Sequence, residues 1–139
     1  MQTDALKAPA TGVFTRTYPG DPRQVCQVRT DLLPILDGCP IADELILLAS
    51  ELCANAVLHS NSRHAGGQFT VRAELHPGDY VWIEVEDQGG LWTDREPDPD
   101  RPHGLDIVRE VAGDGNWGID GNAPLPRTVW FRLDWPVTL

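Results

Sequence analysis

The sequence predicts an α+β sandwich in which helices pack on one face of a mixed, mostly antiparallel sheet. Three observations lead to this fold class: two helical patterns precede the main strands, a strand–turn–strand pattern follows, and a further helix and two strands complete the chain. A length of 139 residues, with 41% apolar and 23% charged residues, suits one globular domain. We therefore expect a loose tail over residues 1–11 and a single domain over residues 12–139.

The first two elements are predicted to be an edge strand and a helix. Residues 13–18 alternate enough between apolar and polar side chains for a short strand. Asp21 is the predicted N-cap of the helix, with Pro22 at its first helical position. Pro34 should kink or shorten the end of this helix, and Gly38 should stop it. The apolar spacing of the helix is carried by Val25, Val28, Leu32 and Leu36.

The second helix, from about Ile41 to His59, has the clearest periodicity in the chain. Apolar residues recur there at helical spacing, namely Leu45, Leu48, Leu52 and Ala56. Residues 69–75 and 81–85 then alternate with period two, and a turn signal occupies residues 76–79 between them. Because a short turn between alternating strands is typical of a hairpin, we expect these two strands to be neighbours in the sheet.

The last third of the chain begins with a segment that has no periodicity. Residues 92–103 are acidic and proline-rich, which predicts a long surface loop. A short helix is expected from about residue 104 to residue 112, followed by a short strand over residues 117–119. Residues 128–133 alternate again and are predicted to form the final strand.

Charge and cysteine usage argue against several functions. Eleven Lys and Arg against 21 Asp and Glu give a net charge of −10. This balance opposes broad nucleic-acid binding, which needs cations to neutralise phosphates, and binding to an anionic membrane surface. Apolar stretches such as Leu45–Ala49 are far shorter than the ~20 residues of a membrane span, and the start lacks the apolar core of a signal peptide. Cys26, Cys39 and Cys53 are predicted to be reduced, buried thiols of a cytoplasmic protein.

A polar line runs along the second predicted helix. Glu51, Asn55 and His59 are spaced four residues apart and therefore share one helix face. A solvated face is one interpretation of this spacing. Apolar residues crowd the same turns, however, and a buried amide without a partner costs free energy. The alternative interpretation is therefore a binding or catalytic site on this face.

Two later segments are further candidates for a site. Asp87 ends an apolar strand and is followed by Gly89 and Gly90, which let a flat ligand or a backbone approach closely. An ordinary turn containing an aspartate explains the same residues equally well. The long loop ends at His103, and Gly104 begins a helix whose free N–H groups are suited to phosphate. A glycine before a helix is common, so this second segment taken alone is weak evidence for a phosphate site.

Together and in this order, these segments resemble the GHKL (Bergerat-fold) ATPase superfamily of gyrase, Hsp90, histidine kinases and MutL. Residues 51–60 (ELCANAVLHS) are similar to its N-box, and residues 85–90 (VEDQGG) to its first glycine box. Residues 101–108 (RPHGLDIV) are similar to its second glycine box, and residues 127–133 (RTVWFRL) to its last strand. Within the superfamily, this short chain looks like the RsbW-like anti-sigma-factor serine/threonine protein kinases of actinobacterial type.

The resemblance implies ATP and Mg²⁺ as cofactors. Asn55 would bind Mg²⁺ on the phosphates through its side-chain oxygen, and Asp87 would accept the adenine amino group. Glu51 would act as the general base on a Ser or Thr hydroxyl or on water. The remaining nucleotide-binding residues would be Gly89, Gly90, His103, Gly104, Leu105 and Thr128. In these implied roles Gly89 gives the adenine room, Gly104 and Leu105 present N–H groups to phosphate, and Thr128 helps to hold a water at the adenine.

The expected function is that of an ATP-binding anti-sigma-factor kinase. It would phosphorylate an anti-anti-sigma (STAS) protein and bind a sigma factor, which is regulation by partner switching. Two positions depart from the glycine-box pattern, Leu91 and Pro102, and the loop between them is acidic. Pro102 and the acidic loop favour the alternative of a regulatory module that acts by docking a partner and binds ATP weakly or not at all. A third interpretation, an unrelated α+β binding domain, treats every motif as coincidence.

One surface is predicted to take part in assembly. Tyr80, Trp82, Trp130 and Arg132 alternate away from the apolar faces of their strands, so they should lie on the face of the sheet that the helices leave open. The family resemblance also implies homodimers. We therefore expect a homodimer or a partner protein on this face, unless Trp135 and the end of the chain fold over it.

Overall fold

The computed structural model describes residues 12–89, 104–121 and 126–136. The elements in chain order are β1 (Gly12–Pro19), α1 (Gln24–Ile35), α2 (Ala42–His59), a 3-10 turn (Asn61–Arg63), β2 (Gln68–His76), β3 (Tyr80–Asp87), α3 (Gly104–Ala112), β4 (Trp117–Asp120) and β5 (Arg127–Asp134). The strands form one sheet in the order β1-β2-β3-β5-β4, and each of the four neighbouring pairs is antiparallel. The predicted α+β sandwich is confirmed.

The hydrophobic core lies between the helices and one face of the sheet. Alternate residues of β2, β3 and β5 point towards the helices, so that Val71, Val81, Ile83 and Phe131 are fully buried. The central helix α2 packs on β2 and β3, α1 packs on β1, and α3 packs on β4 and β5. From α2 the core receives the predicted apolar residues Leu45, Leu48, Leu52 and Ala56. Burying one such large aliphatic side chain stabilises the fold by roughly 1.5–3 kcal/mol. Cys39 and Cys53 are buried as predicted, whereas the prediction was wrong for Cys26, which is exposed on α1.

The start of α1 differs from its prediction. The helix begins at Gln24, and no side chain caps it. The Asp21 carboxylate instead accepts a hydrogen bond from the Arg23 N–H (2.9 Å) and pairs with the Arg23 guanidinium (2.7 Å), while its carbonyl accepts from the Gln24 N–H. Asp21 therefore closes a turn before the helix. Pro34 stands inside the last turn of α1, which ends at Ile35.

The other predicted elements agree closely with the structure. α2 starts one residue after the expected Ile41, and β1 lies at the sheet edge as predicted. β2 and β3 form the expected hairpin, in which the Asp79 N–H donates to the His76 carbonyl (2.9 Å). Gly78 has a positive φ of 80° at this turn, a conformation that a side chain would strain. In the described parts of the chain, no helix is long and apolar enough to cross a membrane.

A polar network ties α1 to the edge strand β1. The buried Tyr18 hydroxyl donates to Asp31 Oδ2 (2.7 Å), and Arg16 and Gln27 donate to the same carboxylate at 2.5 and 2.8 Å. The Tyr18 hydrogen bond is the main cause that lowers the pKa of Asp31 below its ordinary value. Both burial and this bond to Asp31 raise the pKa of Tyr18. The network fixes α1 over the edge of the sheet.

Candidate functional site

Asp87 is the last residue of β3 and lies on the helix-covered face of the sheet. Its side chain is only 3% exposed because it continues the inward row of Val81, Ile83 and Val85. Asp87 Oδ1 accepts a hydrogen bond from the Gly89 N–H at 2.7 Å. Gly89 has a φ of 73°, the left-handed conformation that turns this N–H back towards the carboxylate. The glycine thus orients the predicted adenine-reading residue.

Buried serine hydroxyls connect the end of α2 to this turn. Ser60 Oγ donates to the Ala56 carbonyl (2.6 Å) and accepts from the Ser62 N–H (3.0 Å). Ser62 Oγ accepts from the Gln88 N–H (3.0 Å), and the Gln88 side-chain oxygen accepts from the Gln68 N–H (3.0 Å). Ser60 is the last residue of the segment that resembles the N-box, but the sequence motifs gave neither serine a role. Their signal in the sequence is two hydroxyl residues directly after a helix that carries a candidate site.

The polar line of α2 has one buried and one accessible member. Asn55 is 7% exposed, and its Nδ2 finds no hydrogen-bond acceptor among the residues that the structure describes. Glu51, one turn earlier, is half-buried, and within the described chain its carboxylate has neither an ion pair nor a hydrogen bond. His59 is the last residue of α2. The arrangement joins a buried amide to a carboxylate that solvent can reach.

Arg127 stands directly beside Asp87, an arrangement that the motifs did not predict. The two residues are opposite each other in the β3–β5 register, and the Arg127 Nε lies 3.4 Å from Asp87 Oδ2. The Arg127 side chain is 12% exposed. A signal was present, because Arg127 falls in the same alternating row as the apolar Val129 and Phe131. A cation in an inward row needs a partner, and Asp87 is that partner.

Thr128 does not join this cluster. It pairs with Glu86 on β3 and with Asp120 on β4, one register position away from the Asp87–Arg127 pair. Because successive side chains of a strand point to opposite faces, Thr128 faces the open side of the sheet. The role that the family resemblance implied for Thr128 is therefore not supported by its position. Arg127 occupies the corresponding inward place.

The helix that follows the long loop begins where it was predicted. α3 starts at Gly104 and packs alongside α2. The Leu105 side chain is partly buried against the core, which fixes the first turn of the helix. Gly90 and His103 of the predicted site lie outside the described residues, as do the two departures Leu91 and Pro102.

A cavity of about 680 Å³ opens at the same end of the sheet as Asp87. Its walls are the end of β1 with the turn that follows, residues 17–22, and the loop that leads into the first residue of β2, residues 63–68. A Cβ at Gly67 would overlap the Ser62 carbonyl oxygen, so only glycine allows this loop to close on the serine turn. The cavity thus borders the serine turn but is separate from Asn55 and Asp87.

The site offers three chemical capacities. The Asp87 carboxylate can accept a hydrogen bond from an amino group, and its burial makes that acceptor selective. The amide oxygen of Asn55 is a ligand type that a hard cation such as Mg²⁺ prefers. Glu51 is a carboxylate that can accept a proton. The roles that the resemblance implies for the three residues stay predictions.

The comparisons with known proteins agree with this description. A family model described as the histidine kinase-like ATPase domain matches residues 18–120, which include α2, the hairpin, Asp87 and α3. A comparison with curated proteins found no match for the chain. Because the matched segment covers well over half of the 139 residues, the chain belongs to the histidine kinase-like ATPase domain family of the GHKL superfamily.

Proposed function

We propose that this protein is an ATP-dependent serine/threonine protein kinase of the anti-sigma-factor type. Family membership implies ATP binding. In the proposal the protein transfers the γ-phosphoryl group of ATP to an anti-anti-sigma (STAS) protein. It also binds a sigma factor, and the exchange between these two partners is the regulatory switch. A cytoplasmic location fits these partners and the three cysteines, which are free thiols.

The observation that carries the proposal is the pair of polar residues on α2. The Asn55 amide is buried with an N–H group that no described residue accepts. Such a group costs about 1–3 kcal/mol if it stays unsatisfied. In the proposal this N–H group donates to a phosphate oxygen of the nucleotide, while the amide oxygen of the same side chain binds Mg²⁺. Glu51 lies one turn away with an accessible carboxylate. Phosphoryl transfer needs groups that hold the phosphate with its metal ion and a base that accepts the proton of the attacking hydroxyl. The Asn55 amide and the Glu51 carboxylate are suited to these two tasks.

The residues present fit ATP and Mg²⁺. Asn55 would provide one oxygen ligand to Mg²⁺, while the nucleotide phosphates would provide others. Asp87 would accept the adenine amino group, and the first N–H groups of α3, from Gly104 and Leu105, would face the phosphates. Bound ATP supplies the phosphoryl group. Glu51 would take the proton of the attacking hydroxyl.

The test of the function has two stages. Isothermal titration with ATP, with and without Mg²⁺, should show binding that is tighter with the metal. Radiolabelled ATP and a STAS protein encoded near this chain should then show transfer of phosphate. Glu51→Ala should bind ATP normally but transfer phosphate about 10²–10⁴-fold more slowly, because a general base contributes that factor.

Each stage has an outcome against the proposal. Transfer by Glu51→Ala at the wild-type rate would remove the base from the mechanism. Glu110→Ala is a matched control, because Glu110 is exposed on α3 and lies outside both the polar line of α2 and the segment that resembles the second glycine box. Absence of nucleotide binding by the wild type would contradict the ATP-dependent function itself.

A regulatory module that docks partners without catalysis is the second candidate. The observation in its favour is Pro102, which removes one backbone N–H from the segment that resembles the second glycine box. This candidate predicts ATP binding without transfer to any STAS protein, or weak binding that Mg²⁺ does not strengthen. The same titration and transfer assay therefore separate the two functions.

The open face of the sheet is the proposed surface for self-association. Trp82 and Trp130 stack there with ring centroids 4.4 Å apart, because β3 and β5 are neighbours. The acidic residues next to them are neutralised within the chain, since Arg72 binds Glu84 (3.3 Å) and Glu86 (2.8 Å). The side chain of Trp135 packs against the core on the other face. The patch is thus aromatic and internally charge-paired, which favours a second copy as its partner.

A further inference from the structure

The Asp87–Arg127 pair puts a cation beside the carboxylate that would read the base. We propose that Arg127 is a positioning residue that keeps Asp87 ionised and thereby makes the site select adenine over guanine. This inference rests on the proposed nucleotide function of Asp87. It adds a residue that lies outside the segment matched by the family, which ends at residue 120.

The geometry holds the carboxylate from two sides. Asp87 and Arg127 are directly opposite on adjacent antiparallel strands, so their side chains leave the sheet together on the helix face. Arg127 Nε approaches Oδ2 at 3.4 Å, while the Gly89 N–H donates to Oδ1 at 2.7 Å. Both side chains are nearly buried, with 3% of Asp87 and 12% of Arg127 exposed. Solvent therefore screens this ion pair little.

The charge of Arg127 is what makes an ionised carboxylate tolerable at this depth. Burial disfavours the charged form of a carboxyl group, whereas an opposite charge within ~4–6 Å favours it by about 1–3 pH units. Arg63 of the 3-10 turn lies at this end of the sheet as well, with an exposed side chain. On β2 the residues at this end, Gln68 and Phe69, are neutral. α2 contributes the acidic Glu51 and ends at His59.

The ionisation state of Asp87 decides which base can bind. An ionised carboxylate only accepts hydrogen bonds, so it suits the amino group of adenine and repels the carbonyl oxygen of guanine at the same place. A protonated carboxyl group can donate to that carbonyl oxygen. Without the guanidinium, Asp87 would be protonated at a higher pH.

The experiment measures base selectivity as a function of pH. ATP and GTP displace a fluorescent ATP analogue from the wild type, Arg127→Met and Arg127→Lys at about pH 6 and about pH 8. We expect a constant ATP preference in the wild type. In Arg127→Met, ATP affinity should fall about tenfold at the lower pH and GTP should gain, with recovery at the higher pH. Arg127→Lys should restore the flat profile because it keeps a cation.

Arg132→Met is the matched control on the same strand. Arg132 faces the open side of the sheet, with its guanidinium 3.9 Å from the centre of the Tyr80 ring. Its loss should therefore leave the pH dependence of ATP affinity and of GTP affinity unchanged. The inference is overturned if Arg127→Met keeps the wild-type profile, or if it loses ATP affinity equally at every pH. The second outcome would mean that Arg127 acts only by filling space.

A nucleotide-free measurement separates this inference from the proposed function. The ¹³C signal of the Asp87 carboxyl group, identified by its absence in Asp87→Asn, reports protonation directly. In the wild type it should stay at the ionised position between about pH 5 and pH 8. In Arg127→Met it should leave that position at a higher pH than in the wild type. Protonation of wild-type Asp87 within this range would overturn the inference even if Arg127→Met does not fold. If the wild type binds no nucleotide, the proposed function fails while this titration still decides the role of Arg127.

Discussion

Replacement of Asn55 by alanine should stabilise the fold and abolish Mg²⁺-dependent ATP binding at the same time. The amide is buried, and its Nδ2 has no acceptor among the described residues. Because an unsatisfied buried polar group costs about 1–3 kcal/mol, Asn55→Ala removes a destabilising group. Alanine is also a better helix former than asparagine by several tenths of a kcal/mol, roughly 0.5. The same change deletes the proposed oxygen ligand of the metal.

The net magnitude follows from the opposing contribution of packing. Truncation removes buried atoms and leaves a small cavity, which costs about 1 kcal/mol at a site of this size. The free energy of unfolding of Asn55→Ala should therefore rise by about 1 kcal/mol. For a domain of this length, that change corresponds to an increase in Tm of roughly 2–4 °C.

Ser50→Ala is the matched control on the same helix. Ser50 is as buried as Asn55, at 6%, but its hydroxyl is satisfied. It donates to the Ile46 carbonyl (2.7 Å) and accepts from the Arg29 Nε (2.9 Å). Loss of these bonds should lower the free energy of unfolding by about 1 kcal/mol. Thermal unfolding without nucleotide, followed by circular dichroism, compares the two variants with the wild type.

Two results would refute the reasoning about Asn55. A Tm of Asn55→Ala that falls as far as that of Ser50→Ala would mean that the amide is satisfied within the protein. Titration of the variant with ATP and Mg²⁺ tests the second part. Wild-type affinity in the presence of the metal would exclude Asn55 as a ligand, whatever the variant does to stability.

Two further predictions concern assembly and acid stability. Sedimentation should show a homodimer for the wild type and a monomer for the Trp82→Glu, Trp130→Glu double variant. A wild type that stays monomeric at high concentration would exclude the open face of the sheet as a dimer interface. Asp31→Asn should lower the free energy of unfolding by about 1 kcal/mol at neutral pH, because it weakens the hydrogen bond from Tyr18. The folded pKa of Asp31 lies below the unfolded value of 3.8, so the stability difference between wild type and variant is present above that pH and should vanish as the pH falls through the folded pKa. Chemical unfolding at several pH values measures this difference. A difference that stays constant with pH would contradict the role of the ionised Asp31 carboxylate.

Local patterns were enough to predict the main elements. The predicted helix from Ile41 to His59 differs from the observed α2 by one residue, and the β2–β3 hairpin has the predicted turn. Apolar spacing and turn residues act over a few positions, so they can be read without knowledge of the fold. The start of α1 was predicted wrongly because Asp21 binds the side chain of its neighbour Arg23, a contact that competes with helix capping.

Part of the candidate site could be predicted from the sequence, and part of it required the tertiary structure. Asn55, Glu51 and Asp87 were selected from the sequence because each stands at a position that helix spacing or a strand end makes distinctive. The alternation of the last strand marks Arg127 as an inward cation, but only the tertiary structure shows that its partner is Asp87, 40 residues away, through the pairing of β3 with β5. The same register places Thr128 on the face of the sheet opposite to Asp87, because a shift of one residue along a strand moves a side chain to the opposite face.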